Sequence, residues 1–276
     1  GYNNICNLRK IMKIDNIRIN LLKALHNAGS GHPGGSLSCT DILTILYLKI
    51  ANINKDNIND KNRDRIILSK GHAAPALYAV LVEKDILELK ELLKLRQTNE
   101  LCEGHPTLKV PGVEAVSGPL GIGFSQALGM ALGAKLQKIS YRTYAILGDG
   151  ECNEGQIWEG AMFGSFHKLD NFVAIIDYNK LQSDDYCENI TALEPLGDKW
   201  KAFGWNVIEV DGHNLIHLEE AFDRCSKLKG KPSVIIAHTI KGKGVSFMEN
   251  DPLWHGSIAP NKEELEMSIK ELGGEL

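Results

Sequence analysis

Short apolar strands alternate with helices through the second half of the chain, and this alternation restricts the fold more than any other feature. The patterns predict strands at residues 144–147, 172–178, 206–211 and 233–239, and helices at 154–168 and 215–228. Residues 173–176 and 234–237 are apolar without a break, as in strands that are buried on both faces. The sequence therefore predicts an α/β fold, a parallel β-sheet with helices on both faces.

The first half of the chain is predicted to add helices and one strand to the same domain. Helical periodicity covers residues 14–28, 38–50 and 85–96, the last as an exposed helix. A strand at 65–69 precedes a helix that begins near Pro75. Residues 97–117 lack periodicity and predict a long loop of the kind that tends to be functional. No linker or repeat divides residues 1–276, so we expect a single domain.

The first residue is Gly1 rather than Met. Residues 1–12 are therefore expected to be either a disordered extension or one added to the natural chain, with Met12 as an alternative start.

Charge and composition exclude several classes of partner. A net charge of −4 and a pI near 6.2 lack the basic character that binding to nucleic acid or to an anionic membrane needs. No apolar run approaches the roughly 18 residues of a membrane span, and residues 1–20 contain no signal-peptide core. The six cysteines form no C-x-x-C pair and are expected to be reduced thiols of a cytoplasmic protein. Small molecules and other proteins remain as partners.

Polar residues follow two of the predicted strands directly. Gly148-Asp149-Gly150 ends one strand, and Asn179 ends the next. Because ligands bind beyond the carboxyl ends of parallel strands, both side chains are expected at one rim. Their oxygens suit Mg²⁺ or Ca²⁺ together with a diphosphate. The alternative is an ordinary Gly-Asp-Gly turn beside a loop residue, and the motif alone does not decide between them.

A glycine run at residues 118–123 is predicted to open a helix whose first amides favour an anion. No strand precedes it, so a dinucleotide-binding fingerprint is not matched. Close packing of this small-residue helix explains the glycines equally well.

Four histidines lie in predicted loops beside Gly or Pro: His32, His72, His105 and His255. Loop side chains can converge on a cleft, and imidazoles are suited to proton transfer. The alternative for each is a solvated loop residue. The other five are expected to be structural or exposed: His26, His167, His213, His217 and His238.

Eight motifs in order resemble the N-terminal, thiamine-diphosphate-binding part of transketolase, from about residue 15 to 258. They are SGHPGG at 30–35, SKGHA at 69–73, GHP at 104–106, GPLG at 118–121, GDG with EG at 148–155, DYNKL at 177–181, KGKG at 241–244 and WHG at 254–256.

This resemblance implies specific roles for residues of the motifs. It implies that Asp149, Asn179 and the backbone carbonyl of Leu181 hold Mg²⁺, with Ca²⁺ or Mn²⁺ as alternatives. The implied contacts of thiamine diphosphate are His72, Gly118, Pro119, Leu120, Gly150, Asn179, Lys241 and His255. His32, His105 and His255 are implied to be catalytic, and His32 and His255 also to contact the sugar. Glu154 is implied to lie at a subunit interface.

The implied reaction is transfer of a two-carbon ketol unit from a ketose phosphate to an aldose phosphate. Full-length family members continue into a pyrimidine-binding domain and a C-terminal domain. The chain therefore resembles the N-terminal subunit of a split transketolase, or else a truncated one. In the split form we expect activity only with a C-terminal partner subunit in an α2β2 assembly. Partner chains would cover an apolar surface on the helices at 120–136 and 156–169.

Two alternatives remain at this point. One is a related thiamine diphosphate enzyme that acts on other sugars: a dihydroxyacetone-forming or branched-sugar transketolase, or a deoxyxylulose-phosphate synthase. The histidine set favours ketol transfer over the synthase. The other is a non-catalytic cofactor-binding remnant, which would have no reason to keep Asp149, Asn179 and the four loop histidines.

Overall fold

Five parallel strands form one sheet in the computed structural model, which describes residues 2–181 and 193–275, with side chains from Cys6 onward. The strands are β1 (Arg65–Leu68), β2 (Thr143–Gly148), β3 (Phe172–Tyr178), β4 (Asn206–Asp211) and β5 (Ser233–His238). Their order across the sheet is β1-β2-β3-β5-β4. Gly148 pairs in register with Asp177, and Tyr178 with His238, so β2, β3 and β5 end at one edge.

Ten α-helices surround the sheet within the described residues. They are α1 (Tyr2–Ile11), α2 (Ile14–Ala28), α3 (Pro33–Ile45), α4 (Ala74–Glu83), α5 (Leu89–Leu92), α6 (Ile122–Gln137), α7 (Gly155–Phe166), α8 (Leu196–Ala202), α9 (Leu215–Lys227) and α10 (Lys262–Glu271). A π-helical turn, Leu46–Ile50, continues α3.

Alternate residues of each strand enter two separate cores, one on each face of the sheet. In β3, Val173 and Ile175 enter the core that contains α2, α3, α4 and α9. Ala174 and Ile176 enter the core that contains α6, α7 and α8. Burial on both faces explains why the strand is apolar without a break, and the predicted α/β architecture is confirmed.

Several element boundaries agree with the sequence patterns, and two helices do not. The strands at 172–178 and 206–211 and the helix at 14–28 have the predicted limits. The exposed helix predicted at 85–96 is wrong, because only Leu89–Leu92 is helical. Asp85 and Arg96 adopt left-handed backbone angles (φ 58° and 63°) that end helical structure on both sides.

The helix predicted at 38–50 begins earlier, at Pro33, which occupies the first helical position. Gly34 and Gly35 look like helix breakers in the sequence, yet they lie within α3. Glycine occupies these positions because neighbouring atoms leave little space for a side chain. A Cβ on Gly34 would lie 2.8 Å from the carbonyl oxygen of Trp254.

Helices α1, α8 and α10 were not predicted. The stretch expected to be a disordered or added extension contains α1, and Arg9 of this helix donates to Asp15 at 3.2 Å. Helix α10 has a recognisable start, a capping box between Asn261 and Glu264. The predicted thiol Cys187 lies outside the described residues. Among the described cysteines, Cys6, Cys39, Cys102 and Cys225 are free thiols.

Helix α6 packs directly on the end of β1, at a place that only glycine permits. A Cβ on Gly123 would lie 2.7 Å from the Cα of Ser69, whereas one on Gly129 of the same helix would meet nothing within 4 Å. Close packing, the alternative that the sequence left open, therefore accounts for Gly123 but not for Gly129.

We predict that Gly123→Ala lowers the free energy of unfolding by about 1–3 kcal/mol, because the added methyl group must displace backbone. Gly129→Ala is the matched control and should be neutral or stabilising by up to about 1 kcal/mol, as expected of alanine in an exposed helix. Urea denaturation of both variants measures the difference. Equal stability of the two would contradict close packing at Gly123.

Candidate functional site

A cavity of about 150 Å³ opens at the carboxyl edge of the sheet. The turns that follow β1, β2, β3 and β5 converge on it, together with the start of α3 and the loop before α6. Its lining is Gly35, Lys70, His72, Leu120, Gly148, Asp149, Gly150, Glu151, Asn179, Leu181, Lys241 and His255. Seven of the residues implied to hold metal or cofactor are thus brought together with His255.

Asp149 and Asn179 lie on adjacent turns, as predicted. The Asp149 carboxylate accepts hydrogen bonds from the backbone N–H groups of Gly150 (2.7 Å) and Lys180 (2.6 Å). The Asn179 Oδ1 accepts from the N–H of Leu181 at 3.1 Å. Both side chains are buried. A hydrogen bond therefore links the turn after β2 to the turn after β3, and both turns place side-chain oxygens at the cavity wall.

The Asp149 carboxylate lacks enough positive charge around it. Burial, followed by the charge of Asp177, raises the pKa of Asp149 to about 6, and the charge of Lys70 does not offset this. A divalent cation with a preference for oxygen ligands fits such a site. No group of three His, Cys, Asp or Glu side chains in residues 2–181 and 193–275 could hold a metal. The expected set has one carboxylate, one amide and one backbone carbonyl.

Beneath this turn, Asp177 is fully buried and bonded by three different elements. Its carboxylate accepts from Lys70 Nζ, Ser38 Oγ and Thr239 Oγ1, each at 2.5 Å. Although burial opposes the charge of Lys70, Asp177 raises the pKa of Lys70 above its ordinary value. The Lys70–Asp177 pair is thus a buried ion pair, and its Lys70 side lines the cavity.

Glu151 links the glycine turns around the cavity. Its carboxylate accepts from Ser69 Oγ at 2.5 Å, from the N–H of Gly121 at 2.9 Å and from the N–H of Gly148 at 3.1 Å. Ser69 Oγ in turn accepts from the N–H of Phe124 at 3.0 Å. One buried carboxylate therefore holds the first turn of α6 against the ends of β1 and β2.

Three of the four loop histidines form a cluster beside the cavity. Their ring centroids are 5.2 Å apart for His32–His72, 5.8 Å for His32–His255 and 5.6 Å for His72–His255. Lys241 Nζ lies 2.5 Å from Nδ1 of His255. Burial, then the neighbouring charges, lowers the pKa of His32 to about 4 and that of His255 to about 3. The imidazoles are therefore neutral near pH 7.

The remaining predicted residues lie at the rim. His105 is exposed, and a Cβ added to Gly118 would lie 3.4 Å from its ring. Pro119 is also exposed. Glu154 is exposed where α7 begins.

Sequence reasoning missed three residues of this site, namely Lys70, Glu151 and Asp177. Each lies within two residues of a predicted site residue, in or beside the SKGHA, GDG and DYN motifs. Their chemistry was missed because pairing between β1, β2 and β3 is what brings them together. His213, expected to be a structural or exposed histidine, is part of a buried hydrogen-bond network described below.

None of the helices in residues 2–181 and 193–275 has the length and apolar character that crossing a membrane demands.

The chain is similar in sequence and structure to known thiamine diphosphate-binding domains. The family model described as "Transketolase, thiamine diphosphate binding domain" matches residues 9–275. The transketolase structure from Campylobacter jejuni superposes with a TM-score of 0.89 at 31% identity, covering 96% of this chain and 43% of that one. The transketolase from Leishmania mexicana gives a TM-score of 0.89 at 28% identity, covering 96% of this chain and 41% of that one. The fold is that of a thiamine diphosphate-binding domain.

Curated relatives of this class agree. An apulose-4-phosphate transketolase subunit of Phocaeicola vulgatus is 42% identical, over 92% of this chain and 90% of the relative. A 6-deoxy-6-sulfo-D-fructose transketolase subunit of Clostridium sp. is 41% identical, over 90% of this chain and 94% of the relative. Human transketolase is 40% identical over 93% of this chain, but the matched part is only 41% of its length. The chain belongs to the transketolase family.

The buried histidines predict an acid-sensitive fold. Burial, then the charge of Lys70, lowers the pKa of His72 well below 6.5. Below about pH 6.5 the unfolded chain takes up a proton that the folded chain does not, so stability falls as the pH falls. We predict that His72→Gln makes the unfolding free energy depend less on pH between 5 and 6.5, by about 1 kcal/mol per pH unit.

Urea denaturation of the metal-free chain at several pH values measures this slope. His217→Gln, on the exposed side of α9, is the control for loss of a histidine. An unchanged slope in His72→Gln would show that His72 is protonated in the folded chain.

Proposed function

We propose that the chain is the N-terminal subunit of a transketolase, which transfers a two-carbon ketol unit from a ketose phosphate to an aldose phosphate and works only with a C-terminal partner subunit. The observation that supports this best is the shared cavity of Asp149, Asn179, Lys241 and the histidine cluster. It combines oxygen donors for a cation, a positive charge for a diphosphate and neutral imidazoles.

In this proposal Asp149, Asn179 and the Leu181 carbonyl hold Mg²⁺, a role that Ca²⁺ or Mn²⁺ could also fill. A cation held by these residues would neutralise the buried carboxylate and supply positive charge for a diphosphate. Contacts to the cofactor come from His72, Gly118, Pro119, Leu120, Gly150, Asn179, Lys241 and His255. When bound, thiamine diphosphate supplies the electron sink that carbon–carbon bond cleavage requires.

The histidines move protons on the sugar. Lys241 Nζ can only donate, so Nδ1 of His255 accepts at 2.5 Å and the neutral ring carries its proton on Nε2. His255 Nε2 can therefore donate to an oxygen of the substrate. His32, 5.8 Å away between ring centroids, is neutral and can accept a proton from a hydroxyl group. His105, at the exposed rim, also transfers protons to or from the sugar.

The partner surface lies on α6 and α7. These helices and the loop before them expose six large apolar side chains: Leu120, Ile122, Leu136, Met162, Phe163 and Phe166. Phe166 is 80% exposed and Leu136 74%, and neighbouring apolar side chains this exposed are typical of a protein–protein contact surface. We propose that partner chains cover this surface in an α2β2 assembly, with Glu154 at the interface. Two relatives of similar length are named as transketolase subunits, which supports a partner chain.

We also propose a cytoplasmic location, where thiols stay reduced, because Cys6, Cys39, Cys102 and Cys225 are free thiols.

Removing the proposed metal ligand gives a direct test. Asp149→Ala should abolish Mg²⁺-dependent binding of thiamine diphosphate, because the diphosphate would lose its bridging cation beside the Asp177 carboxylate. Asn179→Ala should show a smaller loss. Calorimetry of the assembled enzyme with and without Mg²⁺ measures both. Asp198→Ala, at an exposed site on α8, is the control. Unchanged affinity in Asp149→Ala would disprove the metal assignment.

Reconstitution tests the function itself. The purified chain with thiamine diphosphate, Mg²⁺, a ketose phosphate and an aldose phosphate should show no ketol transfer. Addition of a second polypeptide that carries pyrimidine-binding and C-terminal domains should produce it. Substantial turnover by the chain alone would contradict the need for a partner. Absence of ketol transfer in a stable complex that binds the cofactor would contradict the proposed reaction.

A further inference from the structure

A buried network around Asp41 has no part in the proposed chemistry. The side chains of Arg18 and Asp41 are fully buried. Arg18 donates to both carboxylate oxygens, Nη1 to Oδ1 and Nη2 to Oδ2, each at 3.1 Å. Although burial opposes ionisation, Arg18 and a hydrogen bond from His213 hold the pKa of Asp41 well below its ordinary value. The carboxylate is therefore a fixed anion in the interior.

The geometry around His213 selects one tautomer. Its Nδ1 lies 2.7 Å from Oδ2 of Asp41, which can only accept, so Nδ1 donates. The backbone N–H of Ile240 donates to Nε2 at 2.8 Å, so Nε2 carries no proton. The imidazole is therefore the neutral Nδ1–H form. Through its two hydrogen bonds it connects the buried Asp41 carboxylate to the backbone of Ile240.

The same network holds the chain on both sides of Lys241. Ile240 is bound by His213, and the carbonyl of Lys243 accepts from Arg18 Nε at 3.0 Å. The backbone between these two anchors carries Lys241, which is 1% exposed and lies 2.5 Å from His255 at the cavity. Because Lys241 directly follows Ile240, a displacement of the Ile240 backbone would also move Lys241 at the cavity.

We propose that His213 is a positioning residue, which holds the Lys241 ammonium group at the cavity by accepting a hydrogen bond from the backbone of Ile240. The inference rests on the proposed function, in which Lys241 contacts the cofactor. Without His213, Asp41 keeps its two hydrogen bonds from Arg18 and its ion pair with Arg9 at 3.6 Å. We therefore expect loss of His213 to act on the segment that bears Lys241.

Two substitutions to amide side chains each keep one of the two hydrogen bonds of the His213 ring and lose the other. His213→Asn places an amide nitrogen near the position of Nδ1, so it can still donate to Asp41, but it is too short to accept from Ile240. His213→Gln places its carbonyl near the position of Nε2 and can accept from Ile240. Asparagine should therefore release the Lys241 segment, and glutamine should rescue it.

Hydrogen exchange at the Ile240 amide reads the backbone directly, in the chain without cofactor or partner. We expect exchange at least about 10-fold faster in His213→Asn, the fold-change that corresponds to loss of one hydrogen bond. His213→Gln should exchange at nearly the wild-type rate. His217→Asn, on the exposed face of α9, is the matched control and should match the wild type. Unchanged exchange in His213→Asn would overturn the proposal.

A double-mutant cycle with Lys241→Ala tests the route to the cavity in the assembled enzyme. His213→Asn should raise the thiamine diphosphate concentration for half-maximal activity by about 10-fold, as residues behind a binding group often do. In the Lys241→Ala background the same change should add less than about 2-fold. Additive effects would overturn the proposal. If the assembled enzyme lacks ketol transfer, the proposed function fails, and the exchange measurement still decides the role of His213.

Discussion

One buried charge, the carboxylate of Asp177, organises the carboxyl edge of the sheet. A desolvated carboxylate is costly unless donors surround it, and here the donors come from three other parts of the chain. Lys70 follows β1, Ser38 belongs to α3, and Thr239 follows β5. Each element must reach β3 for the charge to be satisfied. The cavity forms in the space that these converging segments leave between them.

The same charge prepares the neighbouring turn for a cation. Burial and then the charge of Asp177 raise the pKa of Asp149, so the fold places a second carboxylate where it lacks compensation. Burial, together with the charges of Lys70 and Lys241, keeps His72 and His255 neutral. The cavity thus combines an undercompensated carboxylate with neutral imidazoles and the Lys241 ammonium group.

The parts of this architecture that the sequence predicts are those with local or periodic causes. Strand β3 is apolar throughout because both of its faces are buried, and Asp149 is recognisable because it ends a strand between two glycines. The start of α3 was missed because Gly34 and Gly35 are helix breakers locally. Only contacts distant in the chain explain them, the Trp254 carbonyl for Gly34 and the His72 ring for Gly35. Glu151 was missed because its partner Gly121 is 30 residues away in the chain.

The strand order has a consequence for how the chain is made. Strand β5 lies between β3 and β4 although it is synthesised after both. Until β5 emerges from the ribosome, one edge of β3 is open and β4 has no neighbour in the sheet. Exposed edges of this kind invite pairing with other chains. The interval between synthesis of residue 178 and residue 238 is therefore the stage at which a chaperone would protect the nascent protein most.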